Sequence, residues 1–62
     1  MANYDTIKDG IRTTHGCKAD AVAYAKNDSM DGSIVYITKK NDVYCFEYTM
    51  NGKLVKCCAT LS

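Results

Sequence analysis

A chain of 62 residues, 47% hydrophobic and 24% charged with a net charge of +1, has room for one small soluble domain and excludes a second. Such a chain buries only roughly 60% of the surface it exposes when unfolded, so a deep substrate cleft would remove core it can hardly spare. The expectation is therefore not an enzyme, and no cofactor is expected. No apolar run approaches the roughly 20 residues of a membrane span, and no charged-then-apolar leader follows Met1, so a cytoplasmic protein is expected.

Charge is spread evenly: residues 1–32 hold four Lys/Arg against five Asp, and 33–62 hold four Lys against two acids. Neither half is a nucleic-acid arm. Four cysteines in a short secreted chain would suggest a disulfide framework, but in cytosol they stay reduced. Proline, low-complexity tracts and internal repeats are absent, which leaves no linker.

From the N terminus, "NYDTIKDGIRTTHG" admits two readings. Tyr4, Ile7 and Ile11 stand at helical spacing with Asn3 as a cap, which predicts a short helix over about 4–11. Asp9-Gly10 between the two isoleucines would equally turn a hairpin. The next stretch, "CKADAVAYAKNDSMDG", is alanine-rich and ends at Gly32, which predicts a helix over about 18–29. On its wheel Ala19, Val22, Ala25 and Met30 form one stripe, with Tyr24 on the opposite, exposed side.

The last thirty residues, "SIVYITKKNDVYCFEYTMNGKLVKCCATL" with its flanks, are rich in β-branched and aromatic residues and broken by two polar turns. They predict an antiparallel meander over about 33–39, 43–50 and 53–60. Asn51-Gly52 suits a two-residue type I′ turn, because Asn and Gly tolerate positive φ best. The register then sets Met50 opposite Lys53, Tyr48 opposite Val55, Glu47 opposite Lys56, Phe46 opposite Cys57 and Cys45 opposite Cys58. Alternation gives a core face of Val35, Ile37, Tyr44, Phe46, Tyr48, Val55, Cys57, Ala59 and Leu61. The outer face then carries Ile34, Tyr36, Thr38, Val43, Cys45, Glu47, Thr49, Leu54, Lys56, Cys58 and Thr60. The expected fold class is α+β: a three-stranded antiparallel meander packed with one or two short N-terminal helices.

Chemistry-bearing residues are few. His15, Cys17, Cys57 and Cys58 match a tetrahedral zinc set in number, but neighbouring Cys57 and Cys58 on a strand point to opposite faces, so no metal site is expected. Cys57 reads instead as small apolar core filler. Cys45 and Cys58 form a non-hydrogen-bonded pair that oxidation would bridge, although a reducing cytosol keeps them free. Cys17 beside His15 is the one nucleophile candidate, with no group to orient the imidazole. Glu47 opposite Lys56 reads as a cross-strand ion pair, and the glycines are isolated, so no phosphate loop appears.

What remains is the outer sheet face. Ile34, Tyr36, Val43, Cys45, Leu54, Lys56 and Cys58, with Tyr24 on the helix, form the expected partner-binding surface, since exposed apolar patches mark such surfaces. The occupant is a protein partner or a second copy of the chain. Alternatively, Tyr36 with Lys39, Lys40, Lys53 and Lys56 makes a small base-stacking, basic surface for nucleic acid.

The layout of "ADAVAYAKNDSMDGSIVYITKKNDVYCFEYTMNGKLVKCC", a short alanine-rich helix, an acidic turn and a β-meander, resembles small phage-encoded accessory proteins, including some anti-CRISPR proteins. The resemblance is architectural and carries over no individual residue. It implies a non-enzymatic regulator or inhibitor, working in host cytoplasm by occupying the surface of a larger host or defence complex.

Overall fold

A computed structural model describes residues 3–42 and 44–60, and for 44–46 and 57–60 the backbone alone. The fold is α+β. Strands β1 (Tyr4–Lys8) and β2 (Ile11–His15) precede helix α1 (Lys18–Asp28), and β3 (Ile34–Lys39), β4 (Tyr44–Met50) and β5 (Lys53–Thr60) follow it. All pairings are antiparallel, in the order β2-β1-β3-β4-β5. Among the described residues no helix is long and apolar enough to cross a membrane.

The N-terminal segment is a hairpin, which corrects the helix expected over 4–11 and raises the sheet from three strands to five. Asp9 and Gly10 take φ of +52° and +79°, the two positive values that a type I′ turn needs. A helix cannot contain them. Asn51 and Gly52, at +53° and +78°, close the β4–β5 hairpin in the same way, as their sequence suggested.

Helix α1 lies on one face of the sheet through alanine. Ala21 and Ala25 are fully buried against Val35 and Ile37, with Val22 and Tyr4 packed around them. The buried stripe is thus Ala21–Ala25–Ser29; of the expected Ala19, Val22, Ala25 and Met30, Ala25 is buried and Val22 partly so, while Ala19 and Met30 are exposed. Small side chains let the backbones approach until Thr49 Oγ1 on β4 donates to Ala25 O at 2.8 Å. The helix ends at Ser29, whose carbonyl accepts from Asn51 N and whose hydroxyl accepts from Gly52 N. These bonds tie the β4–β5 turn to the C-terminal end of α1.

The register decides which side chains meet the helix. β3 pairs with β4 odd to odd, Val35 with Thr49 and Ile37 with Glu47, because an odd number of residues separates each pair. The expected parity assumed an even loop. One residue's difference turns Glu47 and Thr49 to the helix side and Tyr48 away, the reverse of the expected β4 face. β5 follows: Leu54 and Lys56, opposite Thr49 and Glu47, face the helix side, while Val55, opposite Tyr48, does not.

The β4–β5 register is as expected from Met50–Lys53 to Glu47–Lys56. Beyond it, a β-bulge between Cys45 and Glu47 sets Cys45 opposite Ala59, which corrects the expected Cys45–Cys58 pairing. The side chains of Tyr44, Phe46, Cys57 and Ala59, and the whole of Leu61, expected on the core face, lie outside the described residues.

Candidate functional site

Three surfaces follow from this topology. The first is the sheet face that carries no helix. By register it presents Ile7, Tyr36 and Tyr48 in a row across β1, β3 and β4, with Ile34, Met50 and Val55 beside them. Ile34, Met50 and Val55 are 42%, 40% and 38% exposed, high values for large apolar side chains on neighbouring strands. The Tyr36 and Tyr48 rings lie 6.3 Å apart at 58°, a tilted pair within the range of favourable aromatic contact.

The other end of that face is closed. Asp5, only 1% exposed, accepts from Arg12 Nη1 at 2.9 Å, Thr14 Oγ1 at 2.8 Å and Asn41 N at 3.4 Å. Arg12 also donates to Asp42 O at 2.7 Å, so the loop after β3 is folded down over Asp5 and Thr38. A buried carboxylate with three donors is a structural clamp. The apolar half is left open.

The second surface is an open groove of about 730 Å³ between α1 and β5. Lys18, Val22 and Lys26 line it from the helix, and Leu54 and Lys56 from the strand. Glu47 lies at its base, 5% exposed, with Oε1 held by Lys18 Nζ at 2.6 Å and Oε2 without a hydrogen-bond partner among the described residues. The hydrogen bond to Glu47 holds the Lys18 ammonium above its usual pKa, against some desolvation. The expected ion pair of Glu47 with Lys56 is therefore corrected: the two face each other in register, but the carboxylate's ion pair is with Lys18 on the helix.

The third surface is a cleft of about 250 Å³ on the opposite flank of α1, where Tyr24 and Asp28 face Ile11 and Thr13. The His15 ring packs against Tyr24, centroids 4.7 Å apart and tilted by 47°, and shares a hydrogen bond with Thr6 Oγ1 at 2.9 Å. Below it, Lys8 ties the helix end to the following turn, donating to Asp28 O and pairing with Asp28 and Asp31. Asp31, which accepts from Ser33 N and from Lys8, is held down at about 2.

The expected partner-binding residues are divided among these surfaces. Ile34 and Tyr36 lie on the helix-free face; Leu54 and Lys56 lie in the groove on the other side; Tyr24, 44% exposed, lies in the third cleft. Val43 and the side chains of Cys45 and Cys58 fall outside the described residues. Cys17 caps α1 in extended conformation without a side-chain bond and is exposed, while the His15 ring is engaged by Thr6 and Tyr24. Among the described residues no three His, Cys, Asp or Glu side chains lie together as metal ligands would. Sequence reasoning missed Tyr48, Met50 and Val55, whose place depends on the length of the β3–β4 connection.

No family model matches this chain, and neither a curated protein nor a solved structure matches it.

Proposed function

We propose that this protein is a non-enzymatic protein-binding regulator that docks the helix-free face of its sheet on a partner protein. The observation that carries the reading is the open apolar half of that face, where Ile34, Met50 and Val55 stand around a tyrosine pair. A standard interface takes about 800 Å² from each partner, roughly a fifth of this molecule's 3958 Å². So small a chain reaches that area by committing a whole face, and Tyr pairs are favoured interface anchors. The architectural resemblance to phage accessory proteins suggests the kind of partner: a larger host or defence complex whose surface is occupied.

The nucleic-acid reading has weaker support. Its lysines are divided: Lys53, opposite Met50, shares the helix-free face with Tyr36, whereas Lys39 and Lys56 align with Tyr4 and Glu47 on the helix side.

The test is capture from lysate of the native host with the full chain as bait. The Ile34→Lys/Val55→Lys double variant is expected to lose the partner, and Leu54→Lys, on the other side, to keep it. If a folded double variant retains every partner, the face is wrongly chosen.

A further inference from the structure

We infer that the groove between α1 and β5 receives an extended acidic segment of a protein partner, added as a sixth strand along the outer edge of β5. This goes beyond the helix-free face and does not rest on it, since the two surfaces lie on opposite sides of the sheet.

The backbone supplies the first part of the argument. In the order β2-β1-β3-β4-β5, β5 pairs on one side with β4, and no described strand pairs with its other side. At eight residues, Lys53–Thr60 is also the longest strand, against five for the opposite edge β2. Such an edge presents a row of N–H and C=O groups to any extended chain. The usual protections are weak here: the edge has no proline, and its lysines repel cations but attract anions.

The groove adds side-chain specificity. The groove lies on the helix side of β5, so a strand added in the plane of the sheet at that edge would turn alternate side chains into it, the arrangement in which added strands are read by pockets for alternate side chains. Leu54 and Val22 offer an apolar contact there. Lys26 and Lys56 flank it, and no ion pair joins either to a described carboxylate.

The helix itself sorts its charges. Lys18, Val22 and Lys26 follow one another on the groove flank, and Asp20, Tyr24 and Asp28 on the other. Glu47, the acid at the base of the groove, is buried and already held by Lys18. Charge complementarity therefore selects carboxylates on the incoming segment at helix-facing positions beside Lys26 and Lys56, with an apolar side chain two residues along, on the same face, beside Leu54.

The probe is a capped peptide about eight residues long to match β5, with glutamate and valine taking turns at every second position and threonine between them, titrated into the full-length isotope-labelled protein. Amide resonances of residues 53–60, and of Val22 and Lys26, are expected to shift while those of β1 do not. Lys26→Glu/Lys56→Glu, two surface changes that leave the core untouched, is expected to weaken binding about tenfold or more, and added salt to weaken it in the wild type. A version with lysine for glutamate, and one N-methylated at alternate amides, are expected not to bind. Absence of shifts at millimolar peptide overturns the inference. So does equal binding by the lysine or N-methylated peptide, or stronger shifts of the same amides with oligothymidylate.

Discussion

Replacing Glu47 by methionine is expected to stabilise the protein. The carboxylate is 5% exposed, and Oε2 has no hydrogen-bond partner among the described residues. A buried acceptor left unpaired costs about 1–3 kcal/mol. Against that stands the ion pair with Lys18, whose side chain is 46% exposed and returns to water when released, so the pair offsets only part of the cost. Methionine fills similar volume beside Val22 and Leu54 and adds apolar burial. The net expectation is a gain of about 1 kcal/mol, or a Tm higher by about 4–8 °C for a chain of this size. Thermal unfolding followed by circular dichroism measures it. A second readout checks the cause: Lys18, held above its usual 10.5 by Glu47, contributes stability that is complete below 10.5 and fades as pH rises past it. In the methionine variant that alkaline loss disappears. A destabilisation of about 2 kcal/mol or more would refute the reasoning, because it would show that the pair outweighs the unpaired oxygen.

Thr49→Val removes the hydroxyl that joins β4 to Ala25 O without emptying the site, and is expected to cost about 1 kcal/mol by urea unfolding. Ala25 O keeps its bond from Ser29 N, so no acceptor is orphaned. Gly52→Ala is expected to cost about 1–2 kcal/mol, since φ of +78° strains any L side chain. The new Cβ would also stand 2.6 Å from Met30 Sδ, but Met30 is 66% exposed and swings away, so a Met30→Ala background recovers little of the loss. Asp31, held at about 2 against an ordinary 3.8, gives stability that is full above pH 3.8 and is lost as pH falls towards 2. Carboxyl NMR titration should place its midpoint there, and Asp31→Asn should flatten the acid limb of stability.

Local chemistry was legible wherever a few adjacent residues decide the outcome. Asn51-Gly52 demanded a turn that the backbone adopts, and the alanine-rich stretch forms its helix over Lys18–Asp28. Asp9-Gly10 carried the same turn signal, yet the spacing of Tyr4, Ile7 and Ile11 competed with it. In the hairpin Ile7 is opposite Arg12 and Ile11 opposite Lys8, so the two isoleucines point to opposite faces and their helical spacing is coincidental. The faces of β4 and β5 were hidden for a different reason. They depend on whether the β3–β4 connection is odd or even, and neither Asn nor Asp in "KKND" specifies that. Buried Asp5 and Glu47 were hidden too: Arg12 and Thr14 reach Asp5 only because the N-terminal segment is a hairpin, and Glu47 meets Lys18 from the remote helix only in the folded chain.

The central claim, that the helix-free face is the docking surface, is tested most directly by hydroxyl-radical footprinting of the complex with the captured partner. Tyr36, Tyr48 and Met50 on that face and Tyr24 and Met30 away from it provide reactive side chains on both sides of the question. Protection of Tyr36, Tyr48 and Met50 with unchanged oxidation of Tyr24 and Met30 is the expected result. Unchanged oxidation at Tyr36, Tyr48 and Met50, with protection at Tyr24 or Met30, would contradict it.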